Sequence, residues 1–139
     1  MLVVRKPIKD MIIIRLNPGD DVLATLTEAA KQNDIKNAVI VSAFGSTQNH
    51  HFHVVTTPDL PPVDAFVKEE KASDIISITG AIINGRVHAH ITHSDTEIAY
   101  GGHLEPGVRV LTFLNIFLAE VDFDFNKFDS IGKIEELRG

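Results

Sequence analysis

Residues 85–104, GRVHAHITHSDTEIAYGGHL, hold four of the seven histidines of the chain. The dipeptide Asn84-Gly85 at the start of this stretch is typical of a two-residue β-hairpin turn. The segments on either side, DIISITGAII (74–83) and RVHAHITH (86–93), have the composition of strands. The sequence therefore predicts an antiparallel hairpin. Side chains at i and i+2 of a strand share a face, so His88 and His90 are expected to project side by side.

Two neutral imidazoles on one face make a candidate metal site, because Zn²⁺ takes histidine nitrogens in a tetrahedral shell. His103 is the natural third ligand. The preceding Gly101-Gly102 lets the backbone pass close to a neighbouring strand without side-chain crowding. A site with three histidines leaves a fourth position for water or a substrate, as catalytic zinc sites do.

The other polar groups near this stretch have less defined roles. His93 has the wrong parity to join His88 and His90, so we expect it to be exposed or to lie just outside the metal ligands. Glu105 is a candidate for the same surrounding layer and for proton transfer, as are Asp95 and Glu97. The alternative is that all these histidines are ordinary strand residues paired with backbone groups or carboxylates.

A second histidine group opens another predicted strand, HHFHVVTT (50–57). His51 and His53 share a face there, and the group could form a second metal site or a pH-sensitive patch. The more common role of such a group is a polar strand surface or the exposed start of a strand.

The remaining pattern predicts an α+β fold in a single domain, residues 1–139, with a largely antiparallel sheet and one main helix. The helix is DVLATLTEAAKQND, capped by Asp20 or Asp21. The other predicted strands are MIIIRL (11–16), KNAVIVSAFGS (36–46) and one long strand in VRVLTFLNIFLAEVDF (108–123). PDLPP (58–62) is a loop, and NKFDSIGKIEELRG is a turn with a short terminal element.

Composition excludes several functions. The chain has no cysteine, so thiolate ligands, disulfides and cysteine nucleophiles are excluded. Its net charge of −6 argues against strong DNA binding, which needs a basic face. The longest apolar-rich run is interrupted by Arg109 and Asn115, so no membrane span is expected, and a cytoplasmic location is the default.

The histidine stretch resembles the signature of the PPC domain, the plant-and-prokaryote-conserved domain. In that family a glycine, an H-x-H pair, a Ser-Asp turn and a Gly-Gly-His-Leu segment recur at about this spacing. DIISITGAI (74–82), VIVSAFGS (39–46) and FNKFDSIGKIEEL (125–137) are similar to flanking family segments. Lys127 stands where the family often has Arg, and Asn115 where it often has Glu.

The resemblance implies a homotrimer with a metal, usually zinc, on His88, His90 and His103. Strand residues 108–121 are expected to help to cover the subunit contacts. Plant members follow AT-hooks and prokaryotic members are commonly labelled DNA-binding, but this chain has no Arg-Gly-Arg-Pro hook. The fold also looks like that of acetolactate decarboxylases, which hold zinc on an H-x-H pair and a later histidine.

Two functions follow as hypotheses. One is a metal-binding module that associates with DNA or other proteins through the trimer. The alternative is a small zinc-dependent lyase or hydrolase, with a carbonyl or ester substrate at the metal.

Overall fold

An eight-stranded antiparallel sheet forms the body of the protein in the computed structural model, which describes residues 1–134. Its elements are β1 (Ile8–Leu16), α1 (Val22–Gln32), β2 (Asn37–Thr47), β3 (His50–Val55), β4 (Asp64–Glu69), β5 (Ser73–Ile83), β6 (Arg86–Ser94), β7 (Ala99–Leu104), β8 (Val110–Val121) and a 3₁₀-helix, Asn126–Asp129. The strands lie in the order β1-β8-β2-β5-β6-β7-β3-β4. The predicted α+β class and single domain are confirmed; residues 135–139 of the predicted terminal element lie outside the described part.

The helix begins where its cap predicts. The Asp21 carboxylate accepts a hydrogen bond from the backbone N–H of Ala24 at 2.9 Å, which satisfies one of the free donors of the first turn. Val22, Leu26 and Ala30 follow at intervals of four and are buried against the sheet. Of the two predicted caps, Asp21 is therefore the correct one. No helix within residues 1–134 is long and apolar enough to cross a membrane.

The β5–β6 hairpin has the predicted turn. Asn84 and Gly85 have φ values of 48° and 82°, and a type I′ turn requires positive φ at both positions. This turn sets the register that pairs Ala81 with His88 and Thr79 with His90.

The sheet has two different faces. Helix α1 packs against one face, where alternate β6 residues such as Ala89 and Ile91 are buried in the core. His88 and His90 project from the opposite face, which we call the outer face. Strand β8, predicted as one long strand, lies inside the sheet between β1 and β2. A role of this strand in subunit contacts therefore cannot come from its being an edge, because the edges of the sheet are β1 and β4.

Candidate metal centre

Three neighbouring strands align histidines on the outer face. His90 of β6 pairs with His103 of β7, and His103 pairs in turn with His53 of β3. His88 is two residues before His90 on the same strand. The strand order thus gathers four imidazoles from positions far apart in the chain.

The rings of His88, His90 and His103 surround a common space. Their centroids are 5.7 Å (His88–His90), 4.9 Å (His88–His103) and 5.7 Å (His90–His103) apart. The ring planes are inclined to one another by 33°, 51° and 75° respectively. Lone pairs on inclined rings can converge on one point, which a shared ion requires.

The double glycine has the role that its sequence position predicts. A Cβ atom on Gly101 would lie 1.8 Å from the carbonyl oxygen of Ile91, and one on Gly102 would lie 2.3 Å from that of His53. Neither position has room for a side chain because the neighbouring strands approach too closely. This approach brings β6 and β3 against β7, and with them the histidines.

Two carboxylates bond to the Nδ1 atoms of histidines in this cluster. Asp129 Oδ1 accepts a hydrogen bond from Nδ1 of His88, while its Oδ2 accepts one from Arg86 at 2.6 Å. Glu105 Oε1 faces Nδ1 of both His103, at 3.2 Å, and His53. A proton held on Nδ1 leaves Nε2 as the free acceptor, which is how histidine ligands are commonly oriented in metal sites.

Burial and neighbouring groups shift the pKa values of His90, His103 and Glu105. Burial lowers the pKa of His90, and the neighbouring histidines lower it further. The pKa of His103 is lowered by the same two causes. Burial alone would raise the pKa of Glu105, but its bonds to His53 and His103 outweigh burial and lower it. These shifts favour neutral imidazoles at His90 and His103 and an ionised carboxylate at Glu105, the forms that bind and support a divalent cation.

His53 belongs to the cluster although the motif does not include it. Ligand atoms of His53, His103 and Glu105 lie within 4.8 Å of one another, so these three residues are a second possible donor set. The His53 and His103 rings, however, stack at 4.3 Å with planes only 23° apart. The second donor set therefore differs from the first in the mutual orientation of its rings. The shared face of His51 and His53 was the available sequence signal.

His93 is not part of this site. It is fully buried on the helix side of the sheet, where its ring stacks on that of His50 at 4.1 Å. Its Nδ1 lies 3.0 Å from the hydroxyl of Ser73. The expectation that His93 is either exposed or lies just outside the metal ligands is wrong, because the parity that removes His93 from the outer face places it in the core. Burial lowers its pKa to about 3.

His50 and His51 also differ from the expected polar strand surface, because neither side chain is fully exposed. His50 is completely buried, and its Nδ1 lies 2.9 Å from the hydroxyl of Tyr100, which donates to Glu69. His51 is half-buried and donates from Nδ1 to the Pro106 carbonyl at 2.7 Å.

Asp95 and Glu97 shape the β6–β7 turn. Asp95 Oδ1 accepts hydrogen bonds from the backbone N–H groups of Glu97 and Ile98, and Lys71 pairs with its other oxygen. The hydrogen bond from Lys71, helped by the two backbone bonds, lowers the pKa of Asp95 to about 2. Among the three predicted acidic residues, Glu105 is the one that contacts the histidines.

A pocket of about 770 Å³ lies over the histidines on the outer face. His53, His88, His90 and His103 are among its lining residues. The volume is in the range of small-molecule sites.

The fold and the site together define a small α+β domain with a candidate metal centre on the open face of its sheet. The chain belongs to the Plants and Prokaryotes Conserved (PCC) domain family, whose model matches residues 5–122.

Solved structures share this fold. A metal-containing protein from Archaeoglobus fulgidus is 20% identical with a TM-score of 0.78, over 89% of this chain and 88% of that one. A plant- and prokaryote-conserved (PPC) protein from Pyrococcus horikoshii is 22% identical with a TM-score of 0.75, over 89% and 87%. A candidate DNA-binding protein from Bacteroides thetaiotaomicron is 17% identical with a TM-score of 0.71, over 86% of each chain.

The chain is also similar to part of a larger protein. The bifunctional protein GlmU of Synechococcus sp. strain JA-3-3Ab is 27% identical over 116 residues, which are 82% of this chain but 18% of GlmU. GlmU of strain JA-2-3B'a(2-13) is 29% identical over 108 residues, 77% of this chain and 16% of GlmU. The chain thus spans less than a fifth of the length of these relatives.

Proposed function

We propose that this protein is a divalent-metal-binding domain that holds zinc on His88, His90 and His103 and binds a small molecule beside it. The observation that carries this proposal is the grouping of three inclined imidazoles with ring centroids 4.9–5.7 Å apart, two of which have Nδ1 bonded to a carboxylate. Nitrogen donors held in this way suit zinc. The metal-containing relative from Archaeoglobus fulgidus supports a metal in this fold.

The pocket over the histidines favours a second candidate function, that of a small metalloenzyme. A zinc ion at the cluster would lower the pKa of bound water to about 7 or polarise a carbonyl oxygen. Glu105 lies against two of the histidines and is the nearest candidate proton carrier. The substrate would be a small carbonyl or ester compound.

Assembly as a homotrimer is supported by the outer face. Phe44 is 49% exposed there, where its ring stacks on Phe117 and meets the edge of Phe113. Further exposed apolar residues lie on the neighbouring strands: Met11, Ile13, Val39, Val41, Ile76 and Leu111. A group of exposed apolar side chains of this kind marks a protein interface.

Metal analysis tests the proposal. Purified protein loaded with zinc and then desalted is expected to carry about one zinc per chain, measured by elemental mass spectrometry. His88→Ala and His103→Ala are expected to lose the metal. His51→Ala is the matched control and should retain it, because its ring bonds to Pro106 away from the cluster.

Two further variants separate the two donor sets. With the metal on His88, His90 and His103, Glu105→Ala weakens zinc binding but His90→Ala abolishes it. The opposite result would assign the ion to His53, His103 and Glu105. Wild-type protein that remains free of metal after loading would refute the proposal.

A further inference from the structure

The pocket over the histidines is lined by two unlike groups of residues. Besides the imidazoles, strand β3, the β3–β4 loop and the C-terminal segment contribute apolar residues, which we call the apolar wall: Val54, Val55, Leu60, Pro61, Pro62 and Ile131. Val55 is 60% exposed and Leu60 is 74% exposed. Apolar side chains left open beside a polar cluster indicate a ligand that covers them, because burial of apolar surface is favourable.

Charge restricts the polar end of that ligand. The lining residues from the described part of the chain include no lysine or arginine, whereas Asp64 is among them. Two more carboxylates, Glu105 and Asp129, bond to histidines that line the pocket. Arg86 already pairs with Asp129. A multiply charged anion such as a phosphate ester would still meet the carboxylates of Asp64 and Glu105, with no cation among the described lining residues to balance it. A single negative charge can be balanced by the metal alone.

We propose that this pocket binds a small monoanion with an oxygen-donor head group and a hydrocarbon tail. The head group lies at the histidines, and the tail packs on the wall formed by the β3–β4 hairpin. This inference rests on the proposed metal site, because the metal supplies the positive charge that the head group needs. To the proposed function the inference adds the class of ligand. It also identifies the β3–β4 hairpin as the part of the chain that selects this ligand.

The tail can be tested with straight-chain hydroxamates, whose head group chelates zinc through two oxygens. Zinc-loaded full-length protein is titrated calorimetrically with acetohydroxamate, butanohydroxamate and hexanohydroxamate. Each methylene that reaches the wall is expected to tighten binding about three- to fourfold. Equal affinity for the three compounds would overturn the proposal.

Two matched variants locate the tail. Val55 and Val63 flank the same loop and are both 60% exposed, but only Val55 lines the pocket. Val55→Thr should weaken binding of hexanohydroxamate about threefold or more and leave acetohydroxamate unchanged, since it replaces a methyl group by a hydroxyl. Val63→Thr should bind both as the wild type does. Equal effects of the two variants would count against the assigned wall.

The head group has its own test. Hexanoate should displace hexanohydroxamate at lower concentration than pentyl phosphate does, because both carry a five-carbon tail and their charges differ. Stronger displacement by pentyl phosphate would overturn the charge argument. Zinc content is measured on the same samples. Zinc bound without dependence on tail length refutes this inference alone, while protein that takes up no zinc refutes the proposed function as well.

Discussion

Asp129 accepts a hydrogen bond from Nδ1 of His88 across 41 residues of sequence. The contact joins the 3₁₀-helix after the last strand to the first histidine of the H-x-H pair. Because Asp129 also binds Arg86, it holds the start of β6 at two points. The C-terminal segment therefore takes part in positioning a candidate metal ligand.

Asp129→Ala should weaken zinc binding about tenfold to a hundredfold while the fold is retained, because the carboxylate fixes the orientation of the His88 ring. Competition with a zinc chelator measures the change. Arg86→Ala is the control, since it removes the other partner of Asp129 and leaves the bond to His88 in place. An Asp129→Ala protein with wild-type affinity would show that the carboxylate does not support the ligand.

Metal-free protein should lose stability as the pH falls from 6.5 towards 3. Burial, aided by the nearby His50, lowers the pKa of His93 to about 3 from 6.5, so the unfolded chain binds the proton more readily than the folded one. This contribution is complete above pH 6.5 and decreases below it by at most about 1.4 kcal/mol per pH unit.

Urea unfolding at a series of pH values measures this dependence. The pKa of His50 is lowered as well, chiefly by burial, and adds to the slope with the same sign. His93→Phe should therefore show a shallower decrease than the wild type, even though its stability at pH 8 is reduced by loss of the bond to Ser73. An unchanged slope in His93→Phe would contradict the assignment.

Phe44→Asp should dissociate the expected trimer, because a carboxylate would then lie in the apolar outer face. Light scattering coupled to size exclusion measures the mass at micromolar concentration. Ile98→Asp is the matched control: Ile98 is 47% exposed, against 49% for Phe44, but lies at the β6–β7 turn. A monomeric wild type would contradict the trimer, and a trimeric Phe44→Asp would place the interface elsewhere.

Duplex DNA should bind weakly and without preference for A·T-rich sequence. The net charge of −6 leaves few cations to displace counterions from phosphates. Fluorescence anisotropy at physiological salt tests this with A·T-rich and G·C-rich duplexes. Binding below micromolar concentration that is lost on changing Arg5 and Lys6 to Ala would reverse the conclusion and support the label given to the Bacteroides thetaiotaomicron relative.

The local features of the fold could be predicted from the sequence. The Asn84-Gly85 turn and the alternation through β6 depend on neighbouring residues, so the pairing of His88 and His90 on one face followed directly. The position of His103 opposite His90 required only that β7 return beside β6.

The other contacts of the site depend on the order of the strands in the sheet, which local sequence patterns do not specify. β3 precedes β7 by more than 40 residues yet lies beside it, so the motif gave no reason to place His53 next to His103. Asp129 bonds to His88 from the 3₁₀-helix after β8. The sequence of that segment shows no helix or strand periodicity from which the contact could be predicted. The burial of His50 and His93 was missed because each is a polar side chain at a core position. Only the Nδ1 atom of each has a partner on another strand, Tyr100 for His50 and Ser73 for His93, while the Nε2 atoms are buried without a hydrogen bond among the described residues.

The β3–β4 hairpin is joined to the rest of the sheet by a short ladder. Six residue pairs connect β3 to β4, whereas only Phe52↔Leu104 and His53↔His103 are in register between β3 and β7. The hairpin is therefore expected to open as a unit before the central strands do. Since the same hairpin forms the apolar wall of the pocket, hydrogen exchange in β3 and β4 would report whether the pocket is filled. The rates of ligand entry and exit would then be set by local opening of the β3–β4 edge of the sheet.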